Sequence, residues 1–261
     1  MKALAASRRS RYAPAVLVLL ALILTGALYA VLAPRPAEAQ QPTANAQDIQ
    51  QGRALFQANC STCHGLNAEG TDVAPSLIGV GAASVDFQVS TGRMPMANNS
   101  PQAEKKTPQF NEEQTAQLAA YVASLAPGPA VPAADQVDPA GGNPATGMAL
   151  FRTNCAMCHN AVGAGGALSE GKYAPPLYES TPTQIYEAML TGPQSMPVFN
   201  EANISPQGKQ DIIAYLMEQR EPSPGGANLG SLGPVSEAIW AFVIGIGGLI
   251  GMAVWIGARS S

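Results

Sequence analysis

Two stretches of this chain are apolar on every side. Residues 14–33 form one run, and Val235 to Ala258 form the other, with Ser236 and Glu237 as the polar residues at its start. About 20 consecutive apolar residues match the hydrocarbon thickness of a bilayer, so each run predicts a membrane helix. Between them the apolar residues are spaced, and the spacing recurs. Gly52-Arg53-Ala54-Leu55-Phe56-Gln57-Ala58-Asn59-Cys60 matches Gly147-Met148-Ala149-Leu150-Phe151-Arg152-Thr153-Asn154-Cys155, 95 residues later. Ala120-Tyr121-Val122 likewise matches Ala214-Tyr215-Leu216. A repeat of this kind sets the organisation of the chain.

Each copy predicts an opening helix (about 47–59, then 144–154) with Leu and Phe on one face. A Gly/Pro-rich stretch follows, then a closing helix (about 111–125, then 205–220) that carries the Ala-Tyr-aliphatic step. Asn111 and Ser205 are placed to cap the closing helices. Strand-like alternation is scarce, so the architecture is expected to be mainly α. The division that follows is a basic tail with the first apolar run (1–39), a first domain (46–127), a linker (128–143), a second domain (144–222) and the C-terminal apolar helix (235–258). The linker is rich in Pro, Gly and Ala and is expected to be extended. Segment 98–110, with Lys105 and Lys106, reads as a solvated polar loop with docking as its alternative.

The chemistry lies in four cysteines and two histidines, and all six fall in two copies of one motif. They are Cys60-Ser61-Thr62-Cys63-His64 and Cys155-Ala156-Met157-Cys158-His159. C-x-x-C-H is the attachment signature of c-type haem. Two thiols on one short turn reach the two vinyl groups along one porphyrin edge. The next residue then lies under the iron, where imidazole nitrogen binds. A C-x-x-C pair also serves redox dithiols and zinc sites, but neither accounts for both trailing histidines. Two covalent haem c groups are expected, with Cys60, Cys63, Cys155 and Cys158 holding them and His64 and His159 as axial ligands.

A haem iron that only carries electrons needs a second axial ligand, and with no histidine left thioether sulfur is the common alternative. Met94 in Thr91-Gly92-Arg93-Met94-Pro95 and Met196 in Thr191-Gly192-Pro193-Gln194-Ser195-Met196-Pro197 are the candidates. Both are Met-Pro steps shortly after Thr-Gly. Met96 competes with Met94 but does not reproduce that syntax. Met148, Met189 and Met217 lie in helix-like stretches and read as core filler. No acid–base pair or nucleophile suggests catalysis within the chain itself.

Lys2, Arg8, Arg9 and Arg11 precede the first apolar run, and Arg259 follows the second. The positive-inside rule places both termini in the cytoplasm and the haem domains outside. Ala37-Glu38-Ala39 resembles a signal-peptidase site; against that, the run is long for a signal peptide and reads as a retained anchor. Trp240 and Trp255 suit the two interfaces, and Gly247 and Gly251 form a G-x-x-x-G step that favours a partner helix. Haem attachment outside explains four cysteines without a disulfide. Residues 40–234 carry a net charge of −8, which argues against nucleic-acid binding.

Longer stretches carry a resemblance. Pro75-Ser76-Leu77-Ile78-Gly79-Val80-Gly81, Phe87-Gln88-Val89-Ser90 through Pro95, Gly171-Lys172-Tyr173-Ala174-Pro175, Met189-Leu190-Thr191-Gly192 through Pro197 and Trp255-Ile256-Gly257-Ala258-Arg259 resemble the dihaem cytochrome c subunits of actinobacterial-type cytochrome bc complexes. That resemblance implies two tandem class I cytochrome c-like domains between N-terminal and C-terminal transmembrane helices. It implies partnership with a cytochrome b subunit, a Rieske iron–sulfur protein and a haem-copper oxidase, in a dimeric supercomplex without a mobile cytochrome c. A dihaem oxidase subunit or a free-standing dihaem carrier are the alternatives. The Trp-Ile-Gly-Ala-Arg tail argues against the first. Two good Met ligands argue against a gas-binding sensor.

Overall fold

The computed structural model describes residues 13–32, 45–98, 100–220 and 234–258. The basic residues Lys2, Arg8, Arg9 and Arg11, the Ala37-Glu38-Ala39 site and Arg259 lie outside the described residues. Residues 1–38 form one unit, within which helix α1 (Ala13–Leu32) is described. Everything from Ala39 onward forms the second unit.

In that second unit each repeat builds the same small helical domain. The first has α2 (Ala46–Asn59), α3 (Ser61–His64), α4 (Gly81–Ser90) and α5 (Glu112–Leu125). A connecting segment contributes α6 (Ala134–Val137) and a 3-10 turn at Pro139–Gly141. The second domain has α7 (Pro144–Asn154), α8 (Ala156–His159), α9 (Pro182–Thr191) and α10 (Pro206–Glu218). It also holds a two-residue antiparallel pair, Gly166–Ala167 with Tyr173–Ala174. The last described element is α11 (Pro234–Ala258). Mainly helical architecture is therefore as expected, and the four opening and closing helices sit where the pattern put them.

The caps are also as expected. The Asn111 side chain accepts from the Gln114 N–H, and Gln114 reciprocates to the Asn111 N–H. Ser205 Oγ accepts from the Gly208 N–H. Each satisfies a donor that the first helical turn would leave orphaned. Helix α4 was not foreseen, and α9 only as a helix-like stretch around Met189. Helix α9 has a full start signal: Thr181 caps it, Pro182 opens it and Gln184 closes the box. Helix α4 has no side-chain cap.

In each domain the first and last helices cross at a glycine. A Cβ on Gly52 would lie 1.9 Å from the Gln117 carbonyl oxygen, and one on Gly147 would lie 1.9 Å from that of Asp211. The backbones touch there, which leaves room beside the crossing for one aromatic pair. Phe56 meets Tyr121 with ring centres 5.3 Å apart, and Phe151 meets Tyr215 at 5.6 Å, both tilted by about 50°. Such tilted pairs add about 0.5–1.5 kcal/mol beyond the area they bury. Phe56, Leu118 and Val122 anchor one core; Phe151, Ile212, Ile213 and Leu216 anchor the other.

The connecting segment differs from the expected extended linker. Gln210 on α10 donates to the carbonyls of Asp135 and Asp138, and Gln207 donates to that of Gly141. The segment is thus clamped along the last helix of the second domain, by partners some 70 residues away in sequence.

The domains meet through corresponding elements, because α4 and α9 each precede a Thr-Gly step and a Met-Pro step, and these two helices pack together. Loop 98–110 adds to this contact. Gln102 makes two hydrogen bonds to the Tyr173 backbone, the Ala103 N–H donates to Gln194 Oε1, and Lys105 pairs with Glu179 at 3.2 Å. The loop expected to be solvated is thus held in part against the second domain of the same chain.

Among the described residues one helix, Ala238–Ala258, is long and apolar enough to cross a membrane; the apolar stretch Pro14–Leu28 of α1 is shorter.

Because a methyl at the crossing has nowhere to go, Gly147→Ala is expected to destabilise the second domain by about 1–3 kcal/mol or more. Thermal unfolding followed through the haem absorbance of each domain checks it. An unchanged midpoint would show that the crossing can open at no cost.

Candidate haem centres

Both motifs fold alike. The opening helix runs into Cys60 or Cys155, whose N–H donates to the carbonyl of Phe56 or Phe151. One further turn carries Cys63-His64 or Cys158-His159. The chain then swings away through a left-handed residue, Gly65 at φ 82° in the first copy and Asn160 at φ 65° in the second. Glycine takes this conformation freely, whereas Asn160, with ψ at 159°, holds it under backbone strain because that region is essentially glycine's own. The second copy keeps the turn at that cost.

Each histidine is held by a partner that motif spacing alone did not identify. His64 Nδ1 lies 2.8 Å from the Pro75 carbonyl oxygen, and His159 Nδ1 lies 3.0 Å from that of Pro175. A carbonyl only accepts, so Nδ1 carries the hydrogen and Nε2 keeps its lone pair for a metal. Burial lowers the pKa of His159, against the opposing effect of the Pro175 bond, and favours the neutral, ligating ring. A signal for these prolines was present, since Pro75-Ser76-Leu77 and Pro175-Pro176-Leu177 follow the motif in both copies.

All four cysteines are free of disulfides. Burial first, and the neighbouring Cys63 or Cys158 second, pushes the Cys60 and Cys155 thiols up to about 11. They are thus kept as thiols, and a neutral thiol is the form consumed when S–H adds across a vinyl group.

In the second domain one apolar cleft gathers Cys155, Cys158, His159 and Met196, walled by Phe151, Ile212 and Leu216. Two thiols that can form thioethers to a porphyrin edge, with an imidazole and a thioether that can ligate iron, are the side chains that a covalently held, six-coordinate haem c needs. In the first domain Cys60 packs with Leu77, Val80 and Val85 against the Phe56 core. Met94 is half-buried and its N–H donates to the Gln88 carbonyl at 2.9 Å. Met96 is exposed and lines a shallow pocket with Asn98, Ser100 and Glu104. Met157 points into solvent at 95 % exposure.

Comparison with known proteins agrees with this chemistry. Residues 49–126 match the family model "Cytochrome c", and residues 142–216 match "Cytochrome C oxidase, cbb3-type, subunit III". The cytochrome bc1 complex cytochrome c subunit of Corynebacterium diphtheriae is 46% identical over 280 residues, covering 99% of each chain. The chain belongs to the family of cytochrome bc1 complex cytochrome c subunits. The subunit of the same name from Mycobacterium tuberculosis is 46% identical over 97% of this chain and 92% of its own. Cytochrome c6 of Limnospira maxima is 31% identical over a single-domain length of 87 residues. As a cytochrome c subunit the chain is an electron-transfer protein and carries a haem c group in each of its two domains.

One buried group in this family member has no role in holding haem. Glu187 on α9 is fully buried, and neither of its carboxylate oxygens meets an N–H or hydroxyl donor. What faces it is the carboxyl of Asp86 on α4, across the domain boundary. Burial first and Asp86 second push the Glu187 pKa up to about 10. Burial raises Asp86 as well, with the contact to Glu187 opposing it and Glu112 adding to it. The pair is satisfied when a proton lies between the two carboxyls. The folded pKa exceeds the unfolded value near 4.5, so the folded state binds the extra proton and loses stability as pH rises from about 4.5 toward 10. Glu187→Gln supplies a permanent donor, and is expected to stabilise the protein at pH 8 by about 1–3 kcal/mol and to do little at pH 4.5. Calorimetry across that range checks the sign; equal effects at both ends would mean no shared proton.

Proposed function

We propose that the chain is a membrane-anchored, non-catalytic relay, receiving electrons in its first domain and delivering them from its second. The observation that carries this reading is the duplicated centre, in which both copies pair a C-x-x-C-H turn with a histidine fixed through Nδ1. In each, Cys60 and Cys63, or Cys155 and Cys158, hold the haem through thioethers. His64 with Met94, and His159 with Met196, would supply the protein ligands to the two irons. Bound haem supplies a reversible one-electron couple. The residues do the rest: the apolar walls exclude water, the proline carbonyls fix the imidazole rings, and packing of α4 on α9 holds the two centres in one body. Met94 is favoured over Met96 by its burial and by the shared Met-Pro step.

The name the relatives share and the sequence resemblance support a place in a quinol-oxidising complex with cytochrome b and Rieske subunits. Transfer from the Rieske protein to the first haem, then to the second and on to a haem-copper oxidase, follows from that resemblance. Helices α1 and α11 both act as anchors in this reading, with the haem domains on the extracytoplasmic side and both termini in the cytoplasm. The boundaries 46–127 and 144–222 delimit the two domains, and Gly247 and Gly251 on α11 face a partner helix.

Two measurements test the reading. Met196→His should lower the second haem's midpoint potential, because thioether ligation favours ferrous iron more than imidazole does; an unchanged potential would remove Met196 as a ligand. Cys155→Ala with Cys158→Ala should leave a first haem that quinol reduces and oxygen, through the oxidase, no longer re-oxidises. Absorbance after an oxygen pulse on the purified assembly reports this, and wild-type re-oxidation would refute the two-step order.

A further inference from the structure

The cleft around Cys155, Cys158, His159 and Met196 is not built by the second domain alone. Phe87, Thr91, Arg93, Gln102 and Lys105 of the first domain line it as well. Arg93 is the unusual member, because only 8 % of it is exposed. Its guanidinium lies 4.9 Å from the centre of the Phe87 ring. The ion pairs among the described residues are Lys105–Glu179 and Lys172–Glu170, so no carboxylate among those residues answers Arg93. Arginine does not escape the cost of burial by losing its proton, and a buried charge without a counter-charge is strongly unfavourable. A guanidinium in this position calls for an anion within the cleft. A planar fork of N–H donors fits a carboxylate best. Lys105 stands at the same edge, half-exposed and bonded to Glu179.

The cofactor read into this cleft brings such an anion. A haem carries two propionate carboxylates on the pyrrole rings remote from those that bear the thioethers. We propose that Arg93, with Lys105 as a second cation, binds the propionates of the second domain's haem, so that the first domain completes the second haem's site. This rests on the assignment of that haem to Cys155, Cys158 and His159. It is not what chain order suggests, because Arg93 immediately precedes Met94 and belongs by sequence to the first haem. The bonds from Gln102 to the Tyr173 backbone and from the Ala103 N–H to Gln194 hold the loop that bears Lys105 against the cleft. They make the contact a fixed wall.

The test uses the full chain purified in its complex. Haem content per chain is measured first, and the two midpoint potentials then follow from spectroelectrochemical titration. The wave lost in the chain with Cys155→Ala and Cys158→Ala identifies the second haem. Arg93→Gln removes a positive charge beside that haem and should disfavour its ferrous form about tenfold, a fall of about 59 mV for a one-electron couple. The first haem's wave should stay in place. Arg93→Lys should restore most of the shift, and Lys105→Gln should give a smaller fall in the same wave. Movement of the first haem's wave alone would assign Arg93 to that haem and overturn the proposal. Two unmoved waves would overturn it too, leaving Arg93 a packing residue. If Arg93→Gln loses a haem, Arg93→Lys and Lys105→Gln decide on the same criteria. Fewer than two haems in the unsubstituted chain would instead remove the haem assignment beneath it.

Discussion

The contact between first and last helices at a glycine is the constraint from which each domain follows. With no side chain at Gly52 or Gly147, the two backbones close to touching distance, and that closeness fixes where everything next to the crossing must go. The aromatic pair fills the corner. The opening helix ends at the first cysteine, so the crossing also fixes the edge of the cleft from which the thiols act. The histidine lies one short turn further on, and its ring is oriented by a proline carbonyl on the opposite strand of the loop. A shift at the crossing would pass through α2 or α7 to the cysteines with little to absorb it, because packed interiors deform poorly.

Much of this was legible in the sequence, for identifiable reasons. The haem motif carries its chemistry in consecutive residues, and the repeat doubled every signal. Asn111 and Ser205 announce their helices through local hydrogen bonds, which sequence spacing shows directly. The aromatic crossing was readable because Phe56 and Tyr121 have counterparts in Phe151 and Tyr215. Helix α9 showed only as a helix-like stretch around Met189, although Thr181, Pro182 and Gln184 spell its start; α4, with no side-chain cap, carries no such local signal.

What stayed hidden depends on partners distant in sequence. Composition made 128–143 look like a spacer, yet Gln207 and Gln210 clamp it to the last helix of the second domain. Loop 98–110 looked solvated, yet its Gln102 and Ala103 face the second domain. Glu187 would read as an exposed residue of a mixed helix. Only the arrival of α4 against α9 buries it, opposite another carboxyl. These are consequences of tertiary placement, and local pattern does not encode them.

The use of corresponding helices at the domain boundary has a consequence for how such proteins grow. When α4 of one copy meets α9 of the other, the same element of the repeat lies on both sides of the boundary. Unlike loops complete the contact, with 98–110 of the first copy set on Tyr173 and Gln194 of the second. A third copy docking through its own corresponding helix would meet one already covered, whereas a solenoid repeat stacks head to tail and leaves an end open.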